Sequence, residues 1–77
     1  MKSKSGKIRR GTVKRYVEAG NMIVVMDVPV LYAPESPDEP LLEARTIRLL
    51  DEAQRRAEAG DRSWLRRHGR IYSPVPA

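Results

Sequence analysis

From Met22 to Val30 every second residue is apolar: Met22, Val24, Met26, Val28 and Val30. Only an extended strand places such a series on one face. The intervening Ile23 and Val25 are apolar as well, before Asp27 and Pro29 replace them. The first half of this strand is therefore expected to be central or buried on both faces. Pro29, which has no N–H, is expected to end or edge its hydrogen-bond ladder.

A strand of this kind needs a partner, and one precedes it. From Gly11, Val13, Arg15 and Val17 alternate with Thr12, Lys14 and Tyr16. Arg15 among the valines makes this strand an edge candidate or leaves its register open. Between the two runs, Glu18-Ala19-Gly20-Asn21 contains the Gly and Asn that tolerate positive φ in a tight hairpin turn.

Residues 33–40 carry Pro34, Pro37 and Pro40 among acidic residues and read as an extended loop. Glu35, Asp38, Glu39 and Glu43 there lack the Gly and ligand series of a calcium loop and read as solvated, with contact to the chain's own basic segment as the alternative. Helical spacing begins near Leu42, with Thr46, Leu49, Leu50, Ala53 and Ala57 on one stripe and Ile47 on its flank. Asp51 with Arg55 and Glu52 with Arg56 stand acid before base at i, i+4. Gly60 is a left-handed terminator and Asp61 an N-cap for a short helix from Arg62 to His68, ended by Gly69. Trp64 and Leu65 are its core residues. Arg70 to Ser73 read as a brief closing strand.

The expected fold class is thus α+β. A β-hairpin and a short C-terminal strand form a small antiparallel sheet packed by one long and one short helix, in the order β-β-α-α-β. Residues 1–10 are expected to be a flexible basic arm, 11–73 a single domain and 74–77 a frayed tail. Leu, Ile and Val make up 17 of 77 residues and Phe is absent, which allows one small core.

Charge is distributed unevenly. Lys2, Lys4, Lys7, Arg9, Arg10, Lys14 and Arg15 lie in the first fifteen residues with no acid among them, whereas the remainder holds eight basic and ten acidic groups. Spaced cations on a flexible segment suit a polyanion, because each phosphate contact releases a condensed counterion. A solubilising tail or an anionic surface is the competing explanation. Arg62, Arg66, Arg67 and Arg70 form a second cluster around Trp64, His68 and Tyr72. Arginines interleaved with aromatics resemble single-strand platforms, although helix-dipole compensation accounts for Arg66 and Arg67 equally well.

Other chemistry finds little support. The chain has no cysteine, so it has no disulfide framework, thiolate nucleophile or cysteine-ligated metal. The one histidine, His68, lies before a capping Gly, and Ser63 is off its helical face. No catalytic residue, cofactor, metal site or small-molecule substrate is indicated. Met22 to Val25 with Met26 is the longest apolar run, far short of the roughly 20 residues of a membrane span, and cytoplasm is the expected compartment. The expectation is a non-enzymatic protein making largely sequence-independent contacts to DNA or RNA. The alternative is a protein-interaction module, an assembly subunit, inhibitor or homodimer, with the arm as an accessory.

Overall fold

The structure, a computed structural model, describes residues 7–74. Its elements are β1 (Arg9–Ala19), β2 (Met22–Ala33), β3 (Ser36–Leu41), α1 (Ala44–Glu58), α2 (Arg62–His68) and β4 (Arg70–Tyr72). The four strands form one antiparallel sheet, with both helices on one face, a small α+β fold.

β1 and β2 run in unbroken register from Ala19↔Met22 to Arg9↔Tyr32. Their turn is Gly20-Asn21, with Gly20 at φ 61°. A two-residue loop makes Ala19 and Met22 a hydrogen-bonded pair, so even-numbered residues of β2 direct their backbone groups to β1. Odd-numbered residues direct theirs to the opposite edge. Two short strands share that edge: β4 pairs at Ile23, Val24 and Val25, and β3 at Leu31, Tyr32 and Ala33. Among the described residues, the stretch from Met26 to Val30 pairs with β1 alone. Pro29 is an odd position inside this gap, so its missing N–H is missing where no strand needs one. Hence β2 continues through the proline to Ala33 rather than ending there.

The side chains follow the same parity. Val24, Met26, Val28 and Val30 are buried on the helix side, with Val17 of β1. α1 packs on β1 and β2, and α2 on α1 and β4. α1 contributes Thr46, Ala53 and Ala57 as buried residues, with Leu49 and Leu50 half-buried and Ile47 exposed. The alanines let the helix approach the sheet closely. Leu65 from α2 fills the remaining space and Trp64 lies half-buried beside it.

Punctuation by Gly and Asp is as expected. Gly60 adopts φ 73° after α1, and Asp61 Oδ1 accepts the Trp64 N–H at 3.2 Å to cap α2. Asp61 also accepts from Arg56 Nη1 at 2.8 Å, which ties the two helices together. Glu52 receives both Arg55 and Arg56 at 2.6 Å, so the expected Glu52–Arg56 pair forms while Arg55 turns to Glu52 rather than Asp51.

Three expectations are corrected. The proline-containing segment 33–40 is not all loop: it turns at Pro34-Glu35 and returns as β3, a sixth element in the order β-β-β-α-α-β. It pairs with β2 at a few positions only, so its own prolines are accommodated at the edge of the sheet. β1 starts at Arg9 rather than Gly11, because Arg9 and Arg10 find register partners in Tyr32 and Leu31 at the end of the long β2. Those two arginines therefore belong to the sheet, not to an arm. α1 starts at Ala44 rather than Leu42, and Leu42 packs against the core ahead of it. Of the two alternatives for β2, the central one holds: it lies between β1 and the pair β3 and β4, with Ile23 39% exposed on the open face.

Candidate functional site

The side of the sheet away from the helices carries the most distinctive surface. Register places Tyr16, Val25 and Arg70 in one row across β1, β2 and β4, with Glu18, Ile23 and Tyr72 in the next. On the other side of the Tyr16 row stand Lys14 and Asp27, ion-paired at 3.1 Å. Tyr16 is 64% exposed and Tyr72 53%, values that no packing requirement demands of large aromatic residues. Between them Ile23 and Val25 floor an open depression of about 540 Å³, rimmed by Lys14, Asp27 and Arg70.

A second depression of about 450 Å³ adjoins it and shares Arg70 and Tyr72. Arg62 and Arg66, one helical turn apart on α2, line its far side, and Arg62 Nη2 donates to Ser73 Oγ at 3.4 Å. Among the described residues, Asp27 is the sole acid lining either depression, and Lys14 already engages it. Glu18 stands at the hairpin end of the face, outside both.

β4 brings these groups together, and Gly69 makes its position possible. A Cβ on Gly69 would lie 2.5 Å from the Val25 carbonyl oxygen and 2.9 Å from Met26 Cγ. Any side chain there would push β4 off β2, and Arg70 and Tyr72 with it.

Period two divides the expected basic residues. Arg10, Thr12, Lys14 and Tyr16 share the open face, Arg10 lying beside Leu31 at its far end. Arg15 projects on the helix side of β1, opposite Met26, yet stays exposed at the sheet's edge. Arg9 is engaged within the protein: its guanidinium lies 4.9 Å from the Tyr32 ring centroid and donates to the Pro37 carbonyl at 3.1 Å. The basic strand thus meets the proline-containing segment through a backbone carbonyl rather than a carboxylate. Lys7 is exposed just before β1, and Lys2 and Lys4 lie outside the described residues. In the second cluster, Arg62, Arg66 and Arg70 converge, whereas Arg67 lines neither depression.

Trp64 and His68 are engaged with each other. Their rings stack at 3.9 Å with a 19° interplanar angle, His68 Nδ1 lies 2.8 Å from the Trp64 carbonyl, and the Arg56 guanidinium is 5.5 Å from the indole. The strongest electrostatic network is also on this helical side. The hydrogen bond from Arg56, helped by the Trp64 N–H, holds the Asp61 carboxyl below its ordinary value. Bonds from Arg55 and then Arg56 do the same for Glu52, while both acids keep Arg56 more firmly protonated. This network fastens α1 to α2 and faces away from the open sheet.

Among the described residues, no group of three or more His, Cys, Asp or Glu is placed to hold a metal ion, and no helix is long and apolar enough to cross a membrane. Tyr16 carries no charge and so stood outside the basic pattern of the sequence, although its parity with Lys14 places both on one face. Its proximity to Arg70 depends on β4 pairing and has no local signal. No family model, curated protein or solved structure matches the chain.

Proposed function

We propose that this is a non-enzymatic, cytoplasmic nucleic-acid-associated protein that engages phosphates through cations from both ends of the chain, with little base specificity. The observation that carries the reading is convergence: Lys14 of the N-terminal basic segment and Arg70 of the C-terminal cluster rim one surface depression, and Arg62 and Arg66 extend it. Cations distant in sequence but adjacent in space, with one already paired acid among them, make a path for a polyanion. Lys7 and Arg10 add to the path or to its approach, and Lys2 and Lys4, outside the described residues, add to the basic charge of that segment.

The test is fluorescence anisotropy of labelled DNA and RNA with the full chain, between about 50 and 200 mM salt. Replacing Arg62, Arg66 and Arg70 together by Gln is expected to reduce the log–log salt slope on duplex DNA by up to about 2.7, at roughly 0.9 for each phosphate no longer neutralised. Replacing Arg45 and Arg48, exposed on α1, serves as the control. Equal reductions from both sets, or no binding at the lowest salt, would refute the reading.

A second reading, a protein-interaction module, rests on a different feature. The outer edge of β1 has no strand partner among the described residues along its 11 positions. An extended peptide or a second copy of the chain could add there. Light scattering after nuclease treatment separates the two: a strict monomer retaining affinity for nucleic acid favours the first.

A further inference from the structure

The open face carries two exposed aromatic rings whose spacing says more than charge alone. Tyr16 stands on β1 and Tyr72 on β4, with β2 between them, two strand intervals apart. That interval is about 4.8 Å, and Tyr72 stands one row, two residues, further along, so the two Cα positions are separated by roughly 12 Å. Neighbouring bases in a duplex stack about 3.4 Å apart along each strand. Bases resting on both rings would have to be unstacked from each other, which a paired helix resists and a single strand allows.

We propose that this face is a stacking platform for single-stranded nucleic acid, one base on Tyr16 and another on Tyr72. The intervening chain lies over Val25 and Ile23, and its phosphates meet Lys14, Arg70, Arg62 and Arg66. The inference rests on the phosphate-binding reading above and names its substrate class. Charge complementarity supports this occupant over an apolar peptide, because the cations bracket the rings on both sides while Ile23 and Val25 offer only a small apolar floor. Lys14 is held by Asp27 in the free protein and must exchange that partner for a phosphate, an exposed pair that can be broken cheaply. Stacking needs a ring face but no hydroxyl, so the platform tolerates any base.

The experiment compares single-stranded DNA, single-stranded RNA and duplex DNA of about 15 nucleotides, within the range one such surface covers. Full-chain wild type, Tyr16→Ala, Tyr72→Ala and the two Tyr→Phe variants are used at low salt. Far-UV circular dichroism and a thermal melt check the fold, which these exposed positions do not support. Each Ala variant is expected to weaken single-strand binding about five- to hundredfold, as removal of one stacked base does. Duplex binding should be unchanged by it, and the Phe variants should match wild type. A difference between the RNA and DNA arms identifies which single strand is preferred, and either preference supports the platform. Undiminished single-strand affinity in both Ala variants overturns the stacking inference and leaves the phosphate reading standing. Absence of binding to all three nucleic acids overturns both. If the Ala variants instead convert a dimer to a monomer in sedimentation without changing single-strand affinity, the stacking inference fails and the face belongs to a second copy of the chain.

Discussion

Thr46 is 2% exposed, and its hydroxyl oxygen Oγ1 has no hydrogen-bond partner among the described residues. Its backbone N–H is already satisfied by the Glu43 carbonyl at 2.9 Å, so the defect is confined to the side chain. A buried hydroxyl without a partner carries a desolvation penalty of about 1 to 3 kcal/mol. Thr46→Val exchanges the hydroxyl for a methyl of similar size, and the two residues have nearly equal helix propensity. The expected outcome is a gain of about 1 kcal/mol, at the low end of that range because the site is shaped around the hydroxyl and the methyl must be seated in its place. In a chain of this size the gain corresponds to a rise in Tm of about 4 to 8 °C. With m near 1 kcal/mol/M, the urea midpoint should move up by about 1 M. Trp64, the sole tryptophan, reports tertiary structure by fluorescence while far-UV circular dichroism reports the helices, and coincident transitions justify two-state treatment. Thr46→Ser is the companion: it keeps the hydroxyl, loses the methyl and should cost about 0.8 kcal/mol or more. If Thr46→Val is no more stable than wild type, the hydroxyl is satisfied in solution and the reasoning fails.

Three further outcomes are expected. Gly69→Ala should destabilise the fold by about 1 to 3 kcal/mol, since the new Cβ meets a backbone carbonyl that cannot rotate away, and should weaken nucleic-acid binding by displacing β4; urea titration and anisotropy measure the two effects. Gly60→Ala places a Cβ at φ 73° and should cost about 1 to 2 kcal/mol without altering binding, as the same two measurements will show. For pH, Glu52 and Asp61 are held below their ordinary values of 4.5 and 3.8, so their contribution is complete above those values and is lost as pH falls through the lowered ones. Tm should therefore be insensitive to these acids from about pH 7 to 5 and fall below about pH 4.5, with the fall reduced in Glu52→Gln, in Asp61→Asn and in high salt.

Much of the fold was legible because its signals are local. Alternation defined β2, Gly20 and Asn21 the hairpin, and Gly60 with Asp61 the break between helices. Each is a backbone or capping preference exerted within a few residues. β3 carried no such signal. Its prolines argue against a strand, and only the overhang of β2 beyond Val30 creates a place for it. Arg9 and Arg10 joined β1 for the same reason. The candidate site divided in the same way. Charge clustering could be read directly, but a run of basic residues on a strand is distributed to two faces, and Lys14 and Arg15 point apart. The meeting of Arg70 with Tyr16 depends on the pairing of β4 with β2, in which Val25 and Arg70 are 45 positions apart, a distance no local window contains.

The gap beside β2 also bears on how copies of this protein can assemble. Of the odd positions within it, Asp27 has an N–H and Pro29 has none, so a strand laid there would find a single donor along the whole opening. Sheets grow into fibres only when both edges accept a neighbour. Here the proline closes the gap to templating, and beside it stand only the outer edges of β3, which carries Pro37 and Pro40, and of the three-residue β4, so β1 is the long unpaired edge among the described residues. Two chains can join β1 to β1 about a two-fold axis, and that joint consumes the competent edge of each. A third chain would then find only short or proline-bearing edges, so strand addition favours a pair over a polymer.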